Sequence, residues 1–210
     1  LLKATHEVGF FYLVGHGVDP GLVADLLAVS RRFFDLPTES KLKLENVHSP
    51  QFRGYTRVGK ELTHGAVDWR EQIDIGVERP VVDTRPGTPD YWRRYPGESN
   101  PEPKQGVGEH RDGGVLTLLL VEPGKGGLQV EHHGEWIDAP PIDGAFVVNI
   151  GEMLELATGG YLKATRHRVI SPRVGDDRIS VPYFFNPSLD TVMPQLQLSP
   201  ELAAEATGLT

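Results

Sequence analysis

The sequence has no cysteine among its 210 residues. This absence excludes a disulfide scaffold, a thiolate metal site and a cysteine nucleophile. Any metal ion that the protein binds must therefore be held by nitrogen and oxygen atoms. The absence does not by itself identify the cellular compartment.

Long hydrophobic runs and basic clusters are also missing. No apolar stretch approaches the ~20 residues that a membrane helix needs, and residues 1–17 lack the charged start and long apolar segment of a signal peptide. The net charge is -8, and the basic residues are scattered, with Arg93 and Arg94 as an isolated pair. We therefore expect a soluble protein that binds neither membranes nor nucleic acid.

The pattern of apolar residues and turns predicts one domain with a β-rich C-terminal half. A buried strand is expected at 8–14, followed by a helix that Asp19 caps, that ends at Pro37 and that packs its apolar face on the core. Residues 50–100 are rich in glycine, proline and charge, which predicts a loop-rich cover with one strand at 71–77. Further strands are predicted at 116–121, 127–130, 135–137, 145–150, 165–170 and 178–185, with a short helical turn within 151–160. Many short strands at this spacing indicate a sandwich or a jelly roll.

A histidine and an aspartate, His110 and Asp112, stand two residues apart after Gly108. On an extended backbone such residues face the same side, with α-carbons about 7 Å apart, so both can reach one ion. The pair alone is weak evidence, because a chain with 8 histidines contains about half a His-x-Asp pair by chance. A solvated turn is the alternative.

A third ligand is expected from His167. It lies in a separate strand-like run, in which Arg166 and Arg168 would point to the opposite face. Two histidines and one carboxylate leave three positions of an octahedral ion open on one face, and this ligand set favours ferrous iron. Zinc suits the same atoms, but a hydrolytic zinc site would need a general base that the sequence does not identify.

Arg178 and Ser180 have the same spacing on the next predicted strand. A guanidinium beside a hydroxyl can hold a carboxylate by charge-assisted hydrogen bonds. Arg-x-Ser is common by itself, and a surface arginine with a strand-edge serine is the alternative. Next to the predicted metal ligands, the pair indicates a site for a carboxylate co-substrate.

Longer motifs occur along the whole chain. They are VGFFYLVGHGV at 8–18, RRFFDLP at 31–37, RGYTRVG at 53–59, DWREQIDIG at 68–76, GVGEHRDGGVLTLLL at 106–120, GGLQV at 126–130, GEWIDAPP at 134–141, FVVNIGEMLELATGGYLKATRHRV at 146–169 and RISVPYFFNP at 178–187. Together they resemble the isopenicillin N synthase-like branch of the iron(II) and 2-oxoglutarate-dependent dioxygenases. In this resemblance His110, Asp112 and His167 match the metal ligands, and Arg178 and Ser180 match the pair that binds the co-substrate carboxylate.

The resemblance implies a mainly β protein with flanking helices around a double-stranded β-helix, the jelly-roll or cupin-like fold. It implies an N-terminal non-haem dioxygenase region at 1–100 and a catalytic jelly-roll region at 101–210, in a single globular unit. Fe(II) is the expected cofactor, 2-oxoglutarate and O2 are the expected co-substrates, and ascorbate is a candidate reductant. The expected reaction is hydroxylation, desaturation or cyclisation of a small organic molecule, with release of succinate and CO2. Ferrous iron would fit a reducing cytoplasm, and the sequence carries no signal for the oligomeric state.

The sequence departs from this family at one place. Family members have a long stretch, with helices and a strand, between the residues that resemble 95–101 and those that resemble 105–112. Only a few residues separate these positions here. A strand before Leu1 and a segment after Thr210 are also missing from the pattern. Because losing core helices would expose the apolar face of the roll, we expect that a segment near 101–105 has been omitted from this sequence.

Two other functions remain open at this point. An iron oxidase of the isopenicillin N synthase type would need no keto acid, and Arg178 would then hold a substrate carboxylate. A non-catalytic binding module on a jelly-roll scaffold is the alternative of another class.

Residues outside the proposed ligand set are weaker candidates. Phe184, Arg53 and Tyr55 are candidates for substrate binding, with structural roles as the alternative. Asn149 and Glu152 are candidates to support the metal ligands by hydrogen bonds. His133-x-Glu135 also has ligand spacing, but its glycine turn predicts an exposed hairpin.

Overall fold

The structure is a computed structural model that describes residues 1–49, 53–63, 65–76, 106–171, 176–188 and 191–209. The chain divides into two compact units, one made of Leu1–Leu27 with Glu109–Thr210 and the other of Ala28–Gly108. Residues 101–105, where an omitted segment is expected, lie outside the described residues. The predicted regions 1–100 and 101–210 stay a prediction.

Short strands outnumber helices in the described residues. The helices are α1 (Leu2–Glu7), α2 (Pro20–Phe34), α3 (Thr38–Leu42), α4 (Glu152–Ala157) and α5 (Pro200–Ala203), with a 3-10 turn at Asn46–His48. The strands are β1 (Phe10–Leu13), β2 (Gly54–Thr56), β3 (Leu62–Thr63), β4 (Ala66–Val67), β5 (Gln72–Asp74), β6 (Val107–His110), β7 (Leu116–Val121), β8 (Leu128–His132), β9 (Glu135–Asp138), β10 (Phe146–Ile150), β11 (His167–Val169) and β12 (Ser180–Phe185). Within these ranges, no helix combines the length and the hydropathy that a bilayer-spanning segment requires.

Two four-stranded sheets position the candidate site. One has the strand order β1-β10-β7-β12, and the other has the order β6-β11-β8-β9. The chain changes sheet from β6 to β7, from β7 to β8, and again from β9 through β12, which is the winding of a double-stranded β-helix. The predicted mainly β jelly-roll fold is confirmed.

The core of the roll joins side chains from both sheets. Phe10, Val121 and Val147 belong to the first sheet, and Leu128 and Val130 belong to the second. Each strand has alternating side chains, so only one face of each sheet contributes to this cluster. The two sheets therefore pack face to face.

The unit formed by Ala28–Gly108 contains two small two-stranded sheets, β2 with β5 and β3 with β4. Its interior holds polar groups that are paired. The Tyr55 hydroxyl and the Lys41 ammonium both donate to Glu71 Oε2, at 2.5 Å and 2.8 Å. The fully buried Asp68 accepts hydrogen bonds from Thr63 and from the Gly108 amide. Burial and the hydrogen bond to Glu71 raise the pKa of Tyr55.

Most predicted elements of the roll occur close to their predicted bounds, but α2 needs a correction. The helix forms where the pattern predicts it, and Asp19 Oδ1 accepts a hydrogen bond from the Gly21 amide at 2.7 Å. However, no residue of α2 is buried, and Leu22 on its apolar stripe is 63% exposed. The expectation that this face packs on the core is wrong for Leu22, because amphipathic spacing favours a helix without supplying the surface that covers it. At the other end of the helix, Phe33 does pack edge-on against the buried Tyr55, with 6.1 Å between ring centroids.

Candidate metal and co-substrate site

The candidate ligands converge from two neighbouring strands and one loop. His110 is the last residue of β6, and His167 is the first residue of β11, which lies beside β6. Asp112 Oδ1 lies 3.5 Å from His110 Nε2 and 3.6 Å from His167 Nε2. In the described residues this is the one group of three or more potential ligand side chains within metal-binding distance of one another.

The first turn of α4 fixes the backbone of the loop that carries Asp112. The Glu152 amide donates to the Asp112 carbonyl at 2.7 Å, and the Met153 amide donates to the Gly114 carbonyl at 3.0 Å. A Cβ on Gly151 would overlap the Gly114 carbonyl oxygen, so only glycine permits this close approach. Asp112 therefore lies beyond the end of β6, in a loop whose backbone α4 fixes.

Hydrogen bonds and charges keep Asp112 ionised. Its side chain is only 8% exposed, and burial alone would raise its pKa. The hydrogen bond with His110, the charge of His167, and hydrogen bonds from Asn149 and Thr117 together hold the pKa of Asp112 well below its usual range. Asp112 is thus a carboxylate over the whole neutral range, as a metal ligand must be.

Burial makes a charge on the His167 imidazole unfavourable. It is 7% exposed, and the Phe10 ring packs edge-on against it with 5.2 Å between ring centroids. Burial, and then the charge of His110, lower the pKa of His167. Its Nδ1 lies 3.2 Å from the Thr165 carbonyl oxygen, so a proton on Nδ1 leaves Nε2 free to bind metal.

The donor set fits an octahedral divalent iron. Bonds of about 2.1 Å at right angles place ligand atoms about 3 Å apart, so the observed separations need only a small inward adjustment. Two imidazole nitrogens and one carboxylate oxygen form a facial set with three further positions available. No thiolate is present to favour a softer ion.

Arg178 provides a buried positive charge close to Ser180. Arg178 Nη1 donates to Ser180 Oγ at 3.4 Å, whereas Nε and Nη2 are buried without a hydrogen-bond partner among the residues that the structure describes. Burial lowers the pKa of Arg178, and the nearby Glu122 carboxylate acts in the opposite direction. A guanidinium with buried, unused donors is costly unless an anionic oxygen binds there, and a carboxylate co-substrate would supply one.

Strand register places Ser180 on the same face of its sheet as Thr117, the residue that donates to Asp112. Ser180 pairs with Val121, and Phe184 pairs with Thr117, whose hydroxyl donates to Asp112. Directly paired residues project from the same face of a sheet. Ser180, Phe184 and Thr117 therefore share one face, and Phe184 is 53% exposed on it.

Two family models match the chain. The N-terminal model of the non-haem dioxygenase in morphine synthesis matches residues 1–102, and the model of the 2OG-Fe(II) oxygenase superfamily matches residues 90–187. The 2-oxoglutarate-dependent dioxygenase frbJ of a Dothideomycetidae species is 31% identical, with 94% of this chain and 71% of that protein covered. This chain belongs to the 2OG-Fe(II) oxygenase superfamily. It is an oxidoreductase whose family uses Fe(II) and 2-oxoglutarate.

Other relatives of this oxygenase support the same family. The homoarginine-6-hydroxylase of Glycine max is 32% identical, with 92% of this chain and 78% of that protein covered. A full-length Neurospora crassa protein, solved in complex with alpha-KG, has a TM-score of 0.72 at 25% identity, covering 96% of this chain and 83% of that one. JOX2 in complex with 2OG, Fe and JA has a TM-score of 0.74 at 24% identity, covering 95% and 74%, and supports the fold.

The remaining predicted residues of the oxygenase have different surroundings. Arg53 and Tyr55 belong to the Ala28–Gly108 unit, and the Tyr55 side chain is buried there against Glu71. Their role in substrate binding stays a prediction. His133 and Gly134 form the predicted β8–β9 hairpin turn, both with positive φ.

Asn149 and Glu152, the two residues predicted to support the metal ligands, form different kinds of hydrogen bond with Asp112. The Asn149 side chain bonds Asp112, as expected, whereas Glu152 contributes its backbone amide. Thr117 and Phe10, which touch Asp112 and His167, were not predicted as site residues. The sequence does carry one signal for Thr117, because it is a polar residue within the apolar run of β7.

Proposed function

We propose that His110, Asp112 and His167 bind the Fe(II) of this oxygenase and that Arg178 with Ser180 binds the distal carboxylate of 2-oxoglutarate. The observation that carries the second assignment is the buried guanidinium of Arg178, with two nitrogen atoms unpaired. A carboxylate accepts two parallel hydrogen bonds from such a group. The face shared by Ser180 and Thr117 supports a single site for metal and keto acid.

The residues of the chain have separate tasks in this proposal. When bound, Fe(II) and 2-oxoglutarate with O2 supply oxidising chemistry in which the keto acid is decarboxylated to succinate. Lowered pKa values favour the metal-binding forms of both side chains, the carboxylate of Asp112 and the neutral imidazole of His167. Arg178 fixes one end of the keto acid, and the apolar residues of the roll exclude water from its surroundings.

A small organic molecule is the proposed substrate, to be hydroxylated, desaturated or cyclised. Relatives and structural neighbours carry names or ligands of this class, including homoarginine and thymine. The half-exposed ring of Phe184 lies on the metal-facing side and offers an apolar contact to such a molecule. We also propose that the protein is cytoplasmic, because ferrous iron persists in a reducing compartment.

Keto-acid titration of the anaerobic Fe(II) protein tests the assignment. A bidentate keto acid gives a charge-transfer absorption, which we expect in the wild type and expect to lose, at the same keto-acid concentration, in Arg178→Ala. Arg57→Ala is the matched control, because Arg57 belongs to the other unit and already pairs with Glu45. Succinate formation coupled to O2 uptake is the activity measurement. Unchanged keto-acid binding in Arg178→Ala would contradict the assignment.

We also propose that a segment near 101–105 is absent from this sequence. The alignment with the frbJ dioxygenase extends over 266 positions, more than the 210 residues of the chain. In addition, the edge strand β12 has the exposed aromatic residues Tyr183, Phe184 and Phe185. An intact mass of 23.2 kDa for the purified protein, the value this sequence implies, would refute the proposal.

A further inference from the structure

The two oxygen atoms of the Asp112 carboxylate have different neighbours. Oδ1 lies 3.5 Å from His110 Nε2 and 3.6 Å from His167 Nε2. Oδ2 accepts hydrogen bonds from Thr117 Oγ1 at 2.5 Å and from Asn149 Nδ2 at 2.8 Å. One oxygen is directed at the space between the imidazoles, and the other is occupied by two donors.

The two donors are held rigidly. Thr117 on β7 and Asn149 on β10 are directly paired, and each is 3% exposed. β7 and β10 are the inner strands of their sheet, so each has a paired strand on both sides. A buried side chain on an inner strand has little freedom to change rotamer. Thr117 and Asn149 therefore form a fixed pair of donors, here called the Thr117–Asn149 clamp.

The number of Asp112 oxygens on the metal determines how many positions stay open. Carboxylates bind cations through one oxygen or through both. Two imidazoles and one oxygen leave three positions on an octahedral ion, enough for a keto acid bound through two atoms and for dioxygen. A second Asp112 oxygen on the ion would leave only two.

We propose that Thr117 and Asn149 are positioning residues that restrict Asp112 to binding iron through Oδ1 alone. A carboxylate oxygen offers about two lone-pair directions, and the clamp uses both of those on Oδ2. Rotation of the carboxylate to bring Oδ2 onto the ion would leave the buried Thr117 hydroxyl and Asn149 amide without their acceptor. Such a rotation is unfavourable, because a buried donor that loses its acceptor has no water to replace it. This inference rests on the proposed iron site.

The alternative is that the two donors only satisfy a buried carboxylate and have no effect on how it binds metal. Both alternatives predict some loss of stability when a donor is removed, so stability does not separate them. The carboxylate binding mode does separate them. It is measured by the infrared difference spectrum between metal-free and Fe(II)-loaded protein labelled with 13C at the aspartate carboxyl carbon.

The variants are Thr117→Val and Asn149→Ala, singly and combined, with Thr117→Ser as the control that keeps a hydroxyl. Wild type and Thr117→Ser should show the wide separation between the two carboxylate stretches that one-oxygen binding produces. The combined variant should show the narrower separation of two-oxygen binding. We also expect its metal affinity to fall about 10–100-fold and its keto-acid affinity to fall at least about tenfold, because an open position is lost.

Two results would overturn the inference. One is a two-oxygen spectrum in the wild type, and the other is an unchanged spectrum and keto-acid affinity in a variant whose circular dichroism shows a native fold. The single variants keep the test decisive if the combined variant does not fold. Failure of the proposed function is distinguishable, because a wild type that binds no keto acid would still reveal its carboxylate binding mode with Fe(II) alone.

Discussion

Phe10 packs edge-on against His167, with 5.2 Å between the two ring centroids. Phe10 is also a member of the core cluster that joins the two sheets. A single side chain thus links the packing of the roll to the orientation of a candidate metal ligand. The imidazole can rotate only if this contact is lost, because His167 itself is almost fully buried.

Replacing Phe10 by leucine should weaken metal binding more than it weakens the fold. Leucine keeps most of the apolar volume, so we expect a stability loss of about 1–2 kcal/mol, while the His167 ring loses the edge that orients it. Val147→Ala, in the same cluster, is the control for general core damage. Urea unfolding and isothermal titration with Fe(II) measure the two effects. Equal loss of metal affinity in both variants would show that Phe10 acts only through the core.

The metal-free protein should lose stability as the pH falls below neutrality. The pKa of folded His167 is lower than its ordinary 6.5, so between these two values the unfolded chain takes up a proton that the folded protein does not. Stability then falls with decreasing pH, by up to about 1.4 kcal/mol per pH unit for one group. Asp112 adds a second loss at lower pH, because its stabilisation, present above the ordinary 3.8, disappears as pH falls through the depressed folded pKa.

The variant His167→Gln should lack the contribution of His167 to the pH dependence of stability. Its unfolding midpoint in urea, measured with a metal chelator present, should depend less steeply on pH just below 6.5, the ordinary pKa of histidine, than that of the wild type. The dependence below about pH 4, to which Asp112 contributes, should remain but become smaller, because the charge of His167 is one of the causes that lower the pKa of Asp112. An unchanged slope in the upper range would show that other groups cause the acid sensitivity.

The candidate ligand set could be proposed from the sequence because its chemistry is visible in residue types and spacing. His110, Asp112 and His167 do meet, although Asp112 lies in a loop beyond the end of β6. This residue is brought to the site by the first turn of α4, a contact between parts of the chain about forty residues apart that local geometry does not predict.

The bounds of the strands could also be predicted from local residue patterns. The pairing of one strand with another could not. β7 occurs at its predicted bounds because an apolar run ends at a Pro-Gly turn. The sequence marks Thr117 only as a polar residue within an apolar run, and β-branched residues of this kind are common in strands. Only the register that places it opposite Asn149 makes it a donor to Asp112. The exposed Leu22 of α2 shows the same limit. Hydrophobic periodicity predicts a helix, but it does not predict which residues of the fold cover that helix.

Gly151→Ala should damage the metal site through the backbone. The added Cβ would overlap the Gly114 carbonyl oxygen, so the loop after β6 must move away from α4. We expect a stability loss of about 1–3 kcal/mol, typical of overpacking, together with weaker Fe(II) binding. Gly113→Ala is the matched control, because a Cβ there meets no atom within 4 Å. If Gly113→Ala weakens Fe(II) binding as much as Gly151→Ala does, then the contact between α4 and the loop is not the cause.

Arg178→Met should stabilise the protein without 2-oxoglutarate while abolishing keto-acid binding. The buried guanidinium leaves Nε and Nη2 unpaired, and its desolvation is only partly offset by Glu122. Methionine fills a similar volume without a charge, so removal of the two unpaired donors should raise stability by about 1–3 kcal/mol. Such a gain in stability is expected where a protein retains a ligand-binding side chain that destabilises its ligand-free form.

Thermal unfolding with and without 2-oxoglutarate separates the two effects of Arg178→Met. The variant should unfold at a higher temperature than the wild type when Fe(II) alone is present, and saturating 2-oxoglutarate should raise the unfolding temperature of the wild type only. Ser180→Ala serves as comparison, since it removes a neutral partner and leaves the charge buried. A less stable Arg178→Met protein would mean that Glu122 compensates the guanidinium fully in the absence of ligand, and the unpaired nitrogen atoms would then no longer indicate a co-substrate site.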